Sequence, residues 1–240
     1  MGRTRGRVRK VTALLQRYIQ RGEALDVGAG DGQLAHELSL LGYKVDAVDI
    51  DPSKCKFADT RVRQCDLMDG LPYPDASFDA VTATELIEHV EDPFKALREF
   101  SRVLKEEGLL VLSTPNIGHI EARLHFFIAG TLCRPLACRL EAPSAAKAHH
   151  HVHPMTLVEL RYVLMTNGFE PLHLCTANPK RKAWLLWPMV AGIWLFVHLF
   201  WSASRRQAYL VPDHFRLILG GRNLIILSRK RMGAAGHAVR

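Results

Sequence analysis

Glu23-Ala24-Leu25-Asp26-Val27-Gly28-Ala29-Gly30-Asp31-Gly32 decides the fold. Glu23 to Val27 is a compact, mostly apolar run of strand length, and Gln33 to Leu41 resumes with apolar residues at helical spacing. Between them glycine takes alternate positions, which marks a tight turn. A strand that runs through such a turn into a helix aims backbone N–H groups at whatever sits above the helix N-terminus.

Outward from this stretch, strand and helix take turns. Residues 8–21 read as a short basic helix, Lys44 to Val48 as a strand, Pro52 to Asp59 as a short helix and Arg61 to Cys65 as a strand. Phe78 to Ala83 is a fully apolar strand, Glu85 to His89 and Pro93 to Lys105 are helical, and Leu109 to Ser113 is a strand closed by Pro115-Asn116. Further on, Thr156 to Asn167 has a capping residue, an apolar stripe and Gly168 just past its end, and Glu170 to Cys175 and Asn223 to Ser228 read as strands. Alternation of this kind predicts an α/β fold, Rossmann-like and doubly wound, with helices on both faces of a mainly parallel sheet. The 240 residues suffice for one such domain with irregular insertions near 117–150 and 178–221, and no internal repeat is visible.

The carboxylates around the glycine turn select the ligand. Asp26 lies two residues before Gly28, Asp31 lies inside the turn, and Asp49 closes the second strand 21 residues after Gly28. An acid at that last position accepts hydrogen bonds from ribose hydroxyls, a feature shared by nicotinamide and adenosylmethionine sites. Carboxylates at Asp26 and Asp31 repel a pyrophosphate but attract an ammonium or sulfonium group. The spacing is also GxGxG, whereas the dinucleotide fingerprint is GxGxxG. Both departures favour S-adenosylmethionine over a dinucleotide.

From residue 24 to residue 116 the chain resembles the class I S-adenosylmethionine-dependent methyltransferases. The resemblance rests on the glycine turn, on Asp49, on Asp66-Leu67, and on Leu71-Pro72-Tyr73-Pro74-Asp75-Ala76-Ser77-Phe78-Asp79-Ala80-Val81. It implies a seven-stranded sheet whose last strand is antiparallel. It also implies that Gly28 and Gly30 lie under the methionine part, Asp49 holds the ribose, and Asp66 with Leu67 touches adenine. The cofactor set so implied is Asp26, Gly28, Ala29, Gly30, Asp49, Ile50, Asp66 and Leu67. The expected division is a single 1–240 domain: a basic helix (1–22), a cofactor half (23–116), an acceptor-side half (117–177), an apolar insertion (178–221) and a last strand (222–230).

After the fourth strand, Glu85, Glu88 and His89 fall at i, i+3 and i+4, on one face of a helix. This Glu-x-x-Glu-His segment is similar to one in ubiquinone-type O-methyltransferases and in small-RNA end methyltransferases, where it takes part in metal binding with a later histidine. With His151 or His153 from the cluster His149, His150, His151 and His153, the triplet forms a candidate site for a divalent cation, magnesium or similar. The competing reading is a set of hydrogen-bonded residues that position the acceptor. For a hydroxyl acceptor, the candidate bases are His89, His151 and His153, because imidazole titrates near neutrality.

Residues 183–201 contain no charge, hold all four tryptophans (184, 187, 194 and 201), and lie between Lys180-Arg181-Lys182 and Arg205-Arg206. A single crossing would strand the last β-strand on the wrong side of a membrane, so the segment is expected to lie in the interface, to enter the bilayer and return, or to pack on protein, with membrane association favoured. Leu124 to Leu136 is a second apolar contact. The charge of +8 suits an anionic partner, phospholipid headgroups or nucleic acid, and equally a basic tail that serves solubility alone. Five cysteines without a CxxC pair, and a basic N-terminus followed by a Val11 to Ile19 stretch that Gln16, Arg17 and Tyr18 break, so that it offers no apolar signal core, point to a cytoplasmic location. The expectation is therefore a membrane-associated O-methyltransferase with a small-molecule or lipid-linked acceptor. RNA methylation is a second possibility, against which stands the lack of a basic, aromatic-rich RNA-binding stretch. A cofactor-binding scaffold without turnover is a third.

Overall fold

The computed structural model describes residues 2–130, 151–179, 185–208 and 217–232. Seven strands form one sheet among them: β1 (Glu23–Val27), β2 (Lys44–Asp49), β3 (Val62–Gln64), β4 (Phe78–Thr84), β5 (Leu104–Pro115), β6 (Phe169–Pro179) and β7 (Gly221–Lys230). Their order is β3-β2-β1-β4-β5-β7-β6. Strands β1 to β5 run parallel, and β7 lies antiparallel to both β5 and β6. The order reverses between β1 and β4, and there a crevice opens beyond the carboxyl ends of the strands.

Side chains that alternate in direction along each strand build two cores. Leu25, Val81, Leu110 and Ile226 point to the face covered by α3 (Pro93–Val103) and α5 (Leu157–Thr166). Ala24, Ala80, Leu109 and Ile225 point to the face covered by α1 (Gly2–Gln16) and α2 (Gln33–Leu40). This is the doubly wound, mixed seven-stranded architecture that the alternation and the resemblance anticipate. Helix α5 carries the capping box read from Thr156, whose hydroxyl accepts from Glu159 N–H while the Glu159 carboxylate accepts from Thr156 N–H.

Several elements depart from the sequence reading. Helix α1 starts at Gly2 and ends at Gln16, because Val8, Val11 and Leu15 are the residues that seat it on the sheet. The expected helix at 52–59 is a 3-10 turn at Pro52–Lys54, after which the chain extends at Cys55 and Lys56 N–H bonds back to the Asp31 carbonyl. Glu85 to His89 is a turn. Glu85 takes a positive φ of 54°, which no α-helix accommodates. The apolar insertion contributes α6 (Trp187–Phe200) and α7 (Ala203–Ala208), while α4 (Ile120–Ala129) follows β5. No described helix is long and apolar enough to cross a membrane.

Candidate active site

The glycine turn lies at the tip of β1. Gly28, Gly30 and Gly32 have φ of 71°, 55° and 79°, the left-handed region. Gly28 and Ala29 donate their N–H groups to the Val48 carbonyl at 2.9 and 3.1 Å, which stitches the turn to β2. Asp49 accepts from Gly30 N–H at 2.7 Å through one oxygen and from Asp51 N–H at 2.9 Å through the other. Each carboxylate oxygen keeps a lone pair for a further donor. A Cβ on Gly30 would meet no atom closer than the Gly28 carbonyl oxygen, 4.0 Å away, so that side of the turn is unfilled space.

A cavity of about 780 Å³ opens here, a size suited to a cofactor-scale ligand. Gly28, Ala29, Gly30, Asp49, Ile50, Asp66 and Leu67 all line it, as do Glu85 and His89. Asp66 also caps a 3-10 turn (Leu67–Asp69) by accepting from Met68 N–H at 2.8 Å. Asp26 is placed differently from the expectation. It is 2% exposed beneath the turn, does not line the cavity, and accepts from the Thr82 hydroxyl at 2.7 Å. Burial pushes its carboxyl up to about 7, with the charge of Asp49 adding to the rise and the Thr82 bond opposing it.

The expected Glu85/Glu88/His89 face does not form, because the turn splits the triplet. Glu85 accepts from the Ser113 hydroxyl at 2.9 Å and from the Asn223 amide at 2.7 Å, with Arg7 Nη1 at 3.6 Å. It thereby ties β4 to β5, β7 and α1, and both of its oxygens are engaged away from the cation cluster. Glu88 is fully buried, and neither of its carboxylate oxygens has a hydrogen-bond partner among the described residues. Burial, reinforced by Glu85, pushes its carboxyl up to about 8. The Glu88 carbonyl accepts from Val152 and His153 N–H at 2.7 and 3.0 Å, which draws the 151–153 segment onto the turn.

That contact brings His151 to His89, ring centroids 4.9 Å apart. Ligand atoms of Glu88, His89 and His151 lie within 4.8 Å of one another. One carboxylate and two imidazoles suit a transition metal better than magnesium, which favours oxygen ligands, so the magnesium expectation fits this donor set poorly. His153 does not face the cavity as expected: its Nδ1 lies 2.9 Å from the Val90 carbonyl, a bond in which the ring can only donate. His149 and His150, Trp184, Lys180 to Lys182, and the 131–136 part of the second apolar contact lie outside the described residues.

The sequence reading missed the roof of the cavity. Thr4, Arg7 and Val8 of α1 line it, and Arg7 Nε is buried without a hydrogen-bond partner among the described residues. The signal was present in Arg7, Val8, Val11 and Leu15, whose spacing buries one helix face and sets Arg7 at its border. For Glu85, we expect replacement by alanine to cost about 2–4 kcal/mol in urea unfolding, since two buried donors lose a charged acceptor. A loss below about 0.5 kcal/mol would show that these bonds do not tie the strands.

Comparison with known proteins agrees with this geometry. Residues 25–112 match the family described as Methyltransferase domain. Two curated relatives are a probable S-adenosylmethionine-dependent methyltransferase of Mycobacterium tuberculosis and a ubiquinone biosynthesis O-methyltransferase of Xanthomonas oryzae pv. oryzae. The first is 37% identical over 98 residues, covering 39% of this chain and 36% of that protein. The second is 40% identical over 103 residues, covering 38% and 42%. The chain thus spans less than half the length of the curated relatives it matches.

Solved structures extend the likeness to the whole fold. A SAM-dependent methyltransferase of Thermotoga maritima, described as a possible histamine N-methyltransferase, has a TM-score of 0.60 at 16% identity, covering 94% of this chain and 88% of that one. A SAM-dependent methyltransferase of Archaeoglobus fulgidus has a TM-score of 0.57 at 20% identity, covering 94% and 96%. The fold and the cavity at its switch point define a class I Rossmann-like architecture. Residues 25–112 match a methyltransferase domain, and over less than half of its length the chain is similar to S-adenosylmethionine-dependent methyltransferases.

Proposed function

We propose that the protein transfers a methyl group from S-adenosylmethionine to a hydroxyl oxygen of a small, apolar or lipid-linked acceptor. The observation that carries the donor assignment is the charge around the cavity: Asp31, Asp49, Asp66, Glu85 and Glu91 line it against Arg7 and Lys54. Such a surface favours a cationic sulfonium and ammonium over a pyrophosphate. Asp49 holds the ribose with its spare lone pairs, Asp66 and Leu67 border the adenine, and Gly28 and Gly30 lie under the methionine part. Arg7 takes the methionine carboxylate, with its buried and unpartnered Nε as the available donor.

When bound, the donor supplies an electrophilic methyl group for in-line displacement, so the protein's contribution is alignment and exclusion of water. His89 removes the acceptor proton, and His151, packed edge-on against it, fixes its ring. The relation to a ubiquinone biosynthesis O-methyltransferase supports an oxygen acceptor. The free thiols Cys55, Cys65 and Cys175 accord with work on the cytoplasmic side.

The test is methyl transfer from labelled donor to separated lipid and small-molecule extracts. His89→Ala is expected to lower kcat by about 10²- to 10⁴-fold while donor Kd stays within a few-fold. An unchanged kcat would remove His89 as base. Label recovered only in RNA would replace this acceptor class with nucleic acid.

A second reading follows from the clustering of Glu88, His89 and His151: these three would hold a transition-metal ion, which would supply Lewis-acid chemistry beside the acceptor. Calorimetric titration with zinc, manganese and magnesium decides it. Binding lost in His151→Ala supports the ion, and absence of heat together with chelator-insensitive turnover refutes it.

A further inference from the structure

Helix α6 is out of place for a protein surrounded by water. All fourteen residues from Trp187 to Phe200 are uncharged, and only Val190 and Val197 are buried. Trp187, Trp194, Leu195, Phe196, Leu199 and Phe200 are each between 46% and 71% exposed. The end of α4 repeats the pattern, with Phe127 at 87% and Ile128 at 81%. The two helices share a small core of Ile120, Val190 and Ile218, with Leu124, Leu186 and Leu219 packed against it. Isolated exposed apolar residues are ordinary, but an exposed helix made almost wholly of large ones marks a surface that something covers.

Charge identifies the cover. No Asp or Glu occurs from Pro171 to Pro212, whereas Lys180, Arg181, Lys182, Arg205 and Arg206 flank α6 on both sides. At its C-terminal end Arg206 Nη1 donates to the carbonyls of Trp201 and His198 at 2.7 and 3.1 Å, and Arg205 lies 4.5 Å from the centroid of the Trp201 ring. Tryptophan paired with arginine at the border of an apolar helix matches the chemistry of a lipid headgroup layer. A second copy of the chain would bring more arginine to a segment that holds no acid to neutralise it. At about 1.5 Å per residue, α6 is about 21 Å long and falls short of a hydrocarbon core of about 30 Å, so it lies in the interface.

Helix α6 packs through Val190 on Ile218, in the segment that leads into β7 and the cavity wall. Helix α4 leaves the sheet at the C-terminal end of β5, and Asn116 there donates to the Leu217 and Gly221 carbonyls at 2.9 and 3.0 Å. Two residues beyond, Asn223 bonds Glu85 in the cavity wall. The chain that carries α6 is therefore pinned to the rim of the donor site.

We infer that α4 and α6 form a monotopic docking face that seats the protein on an anionic phospholipid bilayer. Delivery of the acceptor from that bilayer rests on the methyl-transfer reading above; the docking face itself does not.

Because every tryptophan of the chain lies between 184 and 201, tryptophan fluorescence reports on the segment that carries α6. Full-length protein is mixed with phosphatidylcholine vesicles with or without phosphatidylglycerol. Co-sedimentation and a blue shift are expected with the anionic vesicles, at least tenfold weaker without the anionic lipid or in high salt. The double variant Leu195→Glu/Phe196→Glu is expected to lose vesicle binding at least tenfold while keeping donor affinity and the wild-type circular dichroism. Absence of a blue shift and of sedimentation by the wild type would overturn the proposal. So would a wild-type dimer in sedimentation equilibrium that dissociates in the double variant without any vesicle binding. Vesicle binding without any donor binding would instead overturn the methyl-transfer reading.

Discussion

Valine at position 30 abolishes donor binding and leaves the fold standing. The backbone there has φ of 55°, so any side chain costs about 1–2 kcal/mol of left-handed strain, which lowers Tm by about 2–8 °C in a chain of this size. Nothing in the protein blocks the new side chain, since the nearest atom to its Cβ is 4.0 Å away. It fills space that borders the cavity, where the proposed reading puts the methionine part of the donor. We expect donor Kd to rise by more than 100-fold in calorimetry while the melting transition stays cooperative. Gly28→Val has a different signature: its Cβ would stand 3.0 Å from Leu86 Cδ1, so binding and stability fall together. Asp49→Ala weakens binding as well, because it removes both the acceptor offered to the ribose and the tether on Gly30 N–H. Donor affinity unchanged in Gly30→Val would remove the glycine turn from the site.

The second large effect is a loss of stability as pH rises from about 5 to about 8. Asp26 and Glu88 are buried carboxyls held at about 7 and about 8, chiefly by desolvation. Their folded pKa values stand above the unfolded ones, so the folded chain holds protons that the unfolded chain releases. The stabilisation is complete below about pH 4, erodes upward, and is gone once the pH passes about 8, a change on the order of a few kcal/mol. Glu88→Gln keeps the shape and cannot ionise. In chelator-treated protein it is expected to flatten the decline and to melt above the wild type at pH 8. Asp26→Asn does the same over a window ending near pH 7. Urea unfolding across this range reads both, and a decline equally steep in each variant would contradict the assignment.

The fold was legible because its signals are local. Apolar strand runs, the glycine turn and the Thr156 capping box each act within a few residues, and they placed β1, β2, β4 and α5 closely. The mixed seven-strand sheet was legible only through the family resemblance, since pairing of β5, β6 and β7 joins residues more than forty positions apart. The candidate site was partly legible. Asp49, Asp66, Gly28 and Gly30 sit at or just beyond strand tips, where sequence position fixes direction, and they reach the cavity. Asp26 did not, because its side chain alternates to the underside of the turn, where Thr82 meets it. Glu85, Glu88 and His89 were misread for a single physical reason: a left-handed residue at Glu85 breaks the helical period that would put them on one face. Arg7 came from α1, which no spacing in the glycine turn announces.

Calorimetry of the purified chain with S-adenosylmethionine and, separately, with a pyridine dinucleotide tests the central claim most directly. The acid-lined cavity predicts saturable uptake of the methyl donor and of its demethylated product, with no heat from the dinucleotide. Tight binding of the dinucleotide and none of the sulfonium would contradict it.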